Sequence, residues 1–185
     1  MKRLLLLSMF LAGCPEQVGQ QCQGSVSIGQ FSLAFAGQHD AGECIANIPD
    51  AGPTRLTLDD GGTRSVTLCF GTDGGRPQLQ LLVPTKTARA SDLLADGGFH
   101  FTGSSPAEVD TACGGTCPVA IDESFDGYLL TSPADAGFAM QSDGGLPEVT
   151  GLTGSLTDNL TSPNTSTCLC ALPCALTYRI TGTRF

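Results

Sequence analysis

Nine cysteines, 18 carboxylates and two histidines are the groups that could do chemistry in this 185-residue chain. Cys14 stands apart, at the end of an apolar run. The other eight are Cys22, Cys44, Cys69, Cys113, Cys117, Cys168, Cys170 and Cys174. An even set in an exported chain predicts disulfides, here four of them. Eight cysteines allow on the order of 100 pairings, and spacing alone does not choose among them. One constraint follows from Cys168-x-Cys170. On a strand these two share a face without bonding each other, so they would staple it to two different partners. The competing chemistry is a metal site built from Cys113-x3-Cys117 and Cys168-x-Cys170-x3-Cys174. Zinc knuckles use paired C-x2-4-C spacings, often with His. Here no His lies near either cluster, and C-x-C is a poor knuckle. No C-x-x-C occurs, so neither a thioredoxin-like redox motif nor a c-type haem site is present.

The carboxylates offer calcium ligation or paired acid–base work. The best local match for calcium is Asp122-x-Ser124-x-Asp126-Gly127, similar to the first half of an EF-hand loop. Its twelfth position is Pro133 where a bidentate Glu is required, so only a weaker Ca2+ site is open to Asp122, Ser124 and Asp126. Asp122/Glu123 and Asp126 are also the nearest thing to a pair of carboxylates for glycoside hydrolysis. His39 sits beside Asp40 in a Gly-rich turn, and His100 between Phe99 and Phe101. No G-x-S-x-G elbow and no phosphate-cradling G-x-x-x-x-G-K loop occur. Composition narrows the field further. With 9 Lys+Arg against 18 Asp+Glu, the chain cannot neutralise a row of phosphates, which excludes nucleic acid as a partner. The lack of Trp and the presence of only two Tyr weaken carbohydrate binding through aromatic platforms.

The amino terminus carries the most specific signal. Lys2 and Arg3 precede the nine apolar-run residues Leu4 to Ala12, a stretch too short for a hydrocarbon core that needs about 20. It reads as a signal peptide over 1–13. Leu11-Ala12-Gly13-Cys14 resembles the lipobox of bacterial lipoproteins. That resemblance implies cleavage before Cys14, a diacylglycerol on its sulfur and acylation of the new amino terminus, with palmitate as a typical chain. It implies residence in the bacterial cell envelope, lipid-anchored, with the outer membrane as the expected site. The mature chain loses Lys2 and Arg3, leaving seven bases against 18 acids, net −11, so attraction to anionic lipid is not a second anchor. Residues 14–21 form a lipidated tether whose seven residues Pro15–Gln21 span at most ~25 Å.

The elements that must position these groups read as strands over a single domain, 22–185. Twenty-four Gly and 11 Pro disfavour long helices, while 41% apolar residues suffice for a core. Leu176, Tyr178 and Ile180 alternate with polar residues, as do Val66/Leu68/Phe70 and Leu79/Leu81/Val83. Gly74-Gly75 supplies a two-residue turn between the last two runs, and Leu56/Leu58 would add a third strand before them. Tyr128/Leu130 is expected to pair with Phe138/Met140 across Pro133-Ala134-Asp135. Ser25–Phe35 changes phase near Gly29, which predicts a bulge. Further strands are expected at Phe99–Thr102, Val119–Asp122 and Glu148–Leu156, with one short helix at Pro106–Thr111 capped by Ser105. The stretch Thr157–Thr167 reads as an exposed loop, and the Asp-Gly-Gly repeats as turn chemistry. The fold class is all-β: an antiparallel β-sandwich or barrel of about nine short strands, stapled by disulfides. The chain resembles uncharacterised cysteine-containing envelope lipoproteins. The function this suggests is non-enzymatic, either binding an envelope protein or glycan or contributing to surface structure. A hydrolase using clustered carboxylates and a calcium-stabilised binding module stand as alternatives.

Overall fold

The computed structural model describes residues 21–22, 24–37, 44–48, 52–55, 62–84, 86–111, 115–132, 138–140, 145–162 and 174–185. The elements are β1 (Val26–Gly37), β2 (Ile45–Ile48), β3 (Gly52–Arg55), β4 (Thr63–Asp73), β5 (Arg76–Leu82), β6 (Arg89–Asp92), β7 (Gly98–Thr111), β8 (Gly115–Thr131), β9 (Val149–Thr161) and β10 (Cys174–Arg184). No helix occurs among the described residues. The all-β expectation holds, and the architecture is a barrel rather than a sandwich. Eight strands form one antiparallel sheet in the order β6-β5-β4-β1-β10-β9-β8-β7, with β2 and β3 as a separate two-stranded ribbon. The two outer strands of the sheet meet, so it is nearly closed. Ser91 Oγ on β6 accepts the His100 backbone N–H on β7 at 2.8 Å, and the turn between them is tied by Leu94 N–H to the Gly98 carbonyl at 2.9 Å.

The strands form where alternation places apolar side chains on one face. Phe31, Leu33 and Phe35 on β1 point inward with Val66 and Leu68 on β4 and Leu79 and Leu81 on β5. Phe99, Phe101, Phe125, Leu129, Leu152, Leu156, Leu176, Tyr178 and Ile180 complete the interior. Phe99, Phe101 and Phe125 pack as a triad with centroids 5.1–6.3 Å apart. Side chains therefore fill the barrel, as the narrow interior of an eight-stranded sheet allows.

Local turn and bulge chemistry behaves as the sequence predicts. The Asp73-Gly74-Gly75-Arg76 hairpin has φ of 56° and 81° at its two glycines, the left-handed pair that a two-residue turn needs. Register between β1 and β4 shifts between Ser27 and Gly29, where the bulge is expected. Asp96 Oδ1 accepts the Gly98 N–H at 3.0 Å in the β6–β7 turn.

Four expectations are corrected. Pro106–Thr111 is not a helix but the far half of β7, paired with β8 through Pro106↔Ala120. Tyr128 and Leu130 do not pair with Phe138 and Met140, because both edges of β8 are taken by β7 and β9, and both side chains point out. The neighbours of β4 are β1 and β5, so no third strand from residues 54–58 joins it there; β3 pairs with β2 instead. Thr157–Thr161 belongs to β9, with Asp158 and Leu160 buried. Leu56, Leu58 and residues 163–167 of the expected loop lie outside the described residues.

Antiparallel strands give the barrel two ends. At the proximal end lie Cys22, the start of β1, the β4–β5 and β6–β7 turns, the end of β8 and Phe185. At the distal end lie the β1–β4 connection with its β2–β3 ribbon, the β5–β6 loop, the β7–β8 hairpin and the start of β10. Each end carries a disulfide. Cys22–Cys69 ties the entering chain to β4, and Cys44–Cys174 ties the β1–β4 connection to β10.

Candidate functional site

Among the described residues, charge inside the barrel is concentrated at the distal end, in a cluster assembled from five elements or loops. On β8 the inward phase runs Val119, Glu123, Phe125, Leu129, and on β9 it runs Leu152, Leu156, Asp158, Leu160. An acid in the inward phase is carried into the interior by the alternation itself. Glu123 and Asp158 are partners across β8 and β9, and they are 5% and 2% exposed. Buried carboxylates require counter-charge or strong hydrogen bonds. Glu123 receives both from Arg89 on β6, which bonds its Oε2, and from Lys86 in the β5–β6 loop, whose Nζ lies 3.3 Å from Oε1.

Arg89 reaches Glu123 across the intervening strand β7. The residue it crosses is Gly103, the register partner of Glu123. A methyl group at position 103 would lie 2.5 Å from Arg89 Nε, so the crossing exists only because that side chain is missing. Burial pushes the Arg89 guanidinium below its ordinary value, the Asp158 carboxylate opposes that fall, and neighbouring Arg64 adds to it. Arg64 lies over the Phe35 ring, its Cζ 5.2 Å from the centroid. The result is three cations and two acids in the mouth of an otherwise apolar barrel, clamping β6 to β8 over the seam between β6 and β7. Chemically this is a lock: Glu123 oxygens engaged by two cations serve as counter-ions, and the ring of aromatic side chains fills the space beside them.

On the outer face the groups singled out from sequence take a different arrangement. Asp122, Ser124 and Asp126 lie on strand β8, not in a loop, and alternate along one outward face. Glu123 points the opposite way, so Asp122 and Glu123 cannot act as a carboxylate pair despite being neighbours in sequence. Asp126 is held by two side chains: Ser124 Oγ donates to Oδ2 at 3.2 Å, and His100 Nδ1 lies 2.5 Å from Oδ1. This pair is exposed, with His100 and Asp126 side chains 56% and 64% accessible, on the convex surface of the barrel. Strand spacing sets the three side chains in a row instead of wrapping them round one point, as calcium ligation needs. Among the described residues no cluster of three or more His, Cys, Asp or Glu is placed to hold a metal ion.

Of the predicted cysteine set, four are joined as Cys22–Cys69 and Cys44–Cys174. Cys14, Cys113, Cys168, Cys170 and His39 lie outside the described residues, and Cys117 is placed on β8 with its side chain outside them. Sequence reasoning missed the interior cluster of Arg64, Lys86, Arg89 and Asp158. The available signal was an acid in phase with apolar residues, Leu152-x-Gly154-x-Leu156-x-Asp158-x-Leu160. No protein-family model, characterised protein or solved structure matches this chain.

Proposed function

We propose that the chain is a bacterial cell-envelope lipoprotein, held at the outer membrane by acyl chains on Cys14. We further propose that its mature domain is a binding or structural module, not a catalyst. The observation that carries this reading is the bond between Cys22 and Cys69. Disulfides persist in oxidising compartments, which agrees with export. The bond also starts the fold eight residues after Cys14, so the tether is short and the barrel sits close to its anchor. A filled interior supports a role exercised on the outer surface and rims, against an envelope protein or glycan. The two buried acids, facing cations, lend no support to the hydrolase alternative.

Metabolic labelling with a palmitate analogue tests the anchor. The native chain is expected to take up label and partition into the membrane fraction, and Cys14→Ser to do neither. An unlabelled native product would overturn the reading. The calcium alternative is tested by thermal unfolding. The midpoint is expected to stay within about 1 °C on adding calcium or a chelator, since a bound ligand would raise it by mass action. A rise of several degrees with calcium would restore that alternative.

A further inference from the structure

We infer that the proximal end of the barrel docks on the lipid bilayer, so that the domain stands on the membrane in a fixed orientation. This rests on the anchor reading above and goes beyond it, because a tether alone would not fix which face of the barrel meets the membrane.

Five large apolar side chains are exposed among the described residues: Val26, Leu94, Tyr128, Leu130 and Phe185. All five lie at the proximal end. Val26 opens β1, Leu94 follows β6, Tyr128 and Leu130 close β8, and Phe185 follows β10. They lie around one rim. A methyl at Gly98 would sit 3.2 Å from Leu94 Cδ1 and 3.4 Å from Tyr128 Cε1, so these two flank one point. Leu130 covers Gly151 on the next strand. Phe185 N–H bonds the Gln30 carbonyl, which places that residue beside β1. Val26 borders a groove formed with Gly24, Ser25, Phe70, Gly71 and Thr72.

The same end receives the tether. Cys22 is bonded there to Cys69, and the seven residues Pro15–Gln21 leave the rim within ~25 Å of the lipidated position. Aromatic and aliphatic side chains with a Tyr among them suit the headgroup boundary. Asp73, Asp92, Asp96 and Glu148 outnumber Arg76 and Arg184 at this end, so the contact is apolar insertion into zwitterionic lipid, not ionic attraction. The interior salt bridges then lie at the end facing away from the membrane.

The absence of Trp makes the test direct. Leu94→Trp, Leu130→Trp and Phe185→Trp are prepared singly in the full lipidated chain, with Thr161→Trp at the distal end as the control. Each is reconstituted into phosphatidylcholine vesicles carrying dibrominated acyl chains, and flotation is measured on the same samples. Emission at the three proximal positions is expected to fall by about half, as for side chains at the headgroup–acyl boundary, with Thr161→Trp unchanged. Chains that float with the vesicles but show no quenching at the proximal positions overturn the docked orientation and leave the anchor standing. Equal quenching at all four positions does the same. Unquenched proximal positions in a chain that is dimeric by light scattering give the rim to a second copy. Chains that fail to float remove the anchor and the docking together.

Discussion

Arg89 meets Glu123 only because position 103 has no side chain to obstruct it. Two outcomes follow at this scale. Arg89→Met leaves Glu123 buried beside Lys86 alone and is expected to lower unfolding stability by about 3 kcal/mol. Adding Glu123→Leu removes the stranded charge and should restore at least about half of that loss, because desolvation cost disappears with the ion. Urea titrations of the two single variants and the double variant measure the coupling, and additive losses would contradict the lock. Gly103→Ala displaces the guanidinium and should cost about 2 kcal/mol in the native chain. In the Arg89→Met background the same change should cost under about 0.5 kcal/mol, since nothing is left to displace. Of this site, the burial of Glu123 and Asp158 was missed, since Asp158 falls in a Ser/Thr/Asn-rich stretch expected as an exposed loop and Glu123 among acids weighed for catalysis, although both lie in the apolar phase of their strands. The crossing by Arg89 was not legible either, because it depends on which strands meet when the sheet curls round. Alternation along β7 puts His100 on the face opposite Phe99 and Phe101, yet its partner Asp126 is 26 residues away and reaches it only through strand register.

Elements with strong local signals formed as their residues dictate. The β4–β5 hairpin needs φ > 0 at both central positions, and Gly74 and Gly75 supply it without cost from a Cβ. Gly75→Ala is expected to lower stability by about 1 kcal/mol with no change in the denaturant slope, while Gly74→Asn, a residue that tolerates this region, should be within about 0.5 kcal/mol of native. A larger effect at Gly74 than at Gly75 would contradict this account of the turn. Where local and distant signals conflicted, the distant ones won. Ser105-Pro106 with Glu108 has the form of a helix start, but β8 supplies a backbone partner along the whole of residues 98–111. Pro106 is tolerated because the β7 edge there faces no further strand among the described residues. Tyr128 and Leu130 look like an apolar stripe, yet Phe125, Gly127 and Leu129 take the inward phase, and one strand cannot bury both.

At the scale of the molecule, fold class was legible, while strand limits and strand order were not: the runs expected at Val119–Asp122 and Tyr128/Leu130 are one strand, β8, and alternation marks faces but says nothing of neighbours. The disulfides belong to this scale because they join distant parts. Cys44–Cys174 closes a sequence separation of 130 residues and Cys22–Cys69 one of 47. In the chain-entropy account these restrict the unfolded ensemble by about 5 and about 4 kcal/mol. Cys44→Ser with Cys174→Ser is therefore expected to lose more stability than Cys22→Ser with Cys69→Ser, read from denaturant midpoints. The reverse order would mean that native packing, not loop closure, sets their worth.

The barrel order places β1 between β4 and β10. The earliest strand thus waits for the latest. While the polypeptide emerges amino end first during synthesis, Phe31–Gly37 keeps a bare row of amides and carbonyls that only Tyr178–Arg184 will cover. Such an edge recruits strangers, and long-range closure of this kind is slow. A holdase that shields nascent β1 should raise the yield of correctly closed product, and truncation before β10 should yield aggregates in place of a seven-stranded remnant.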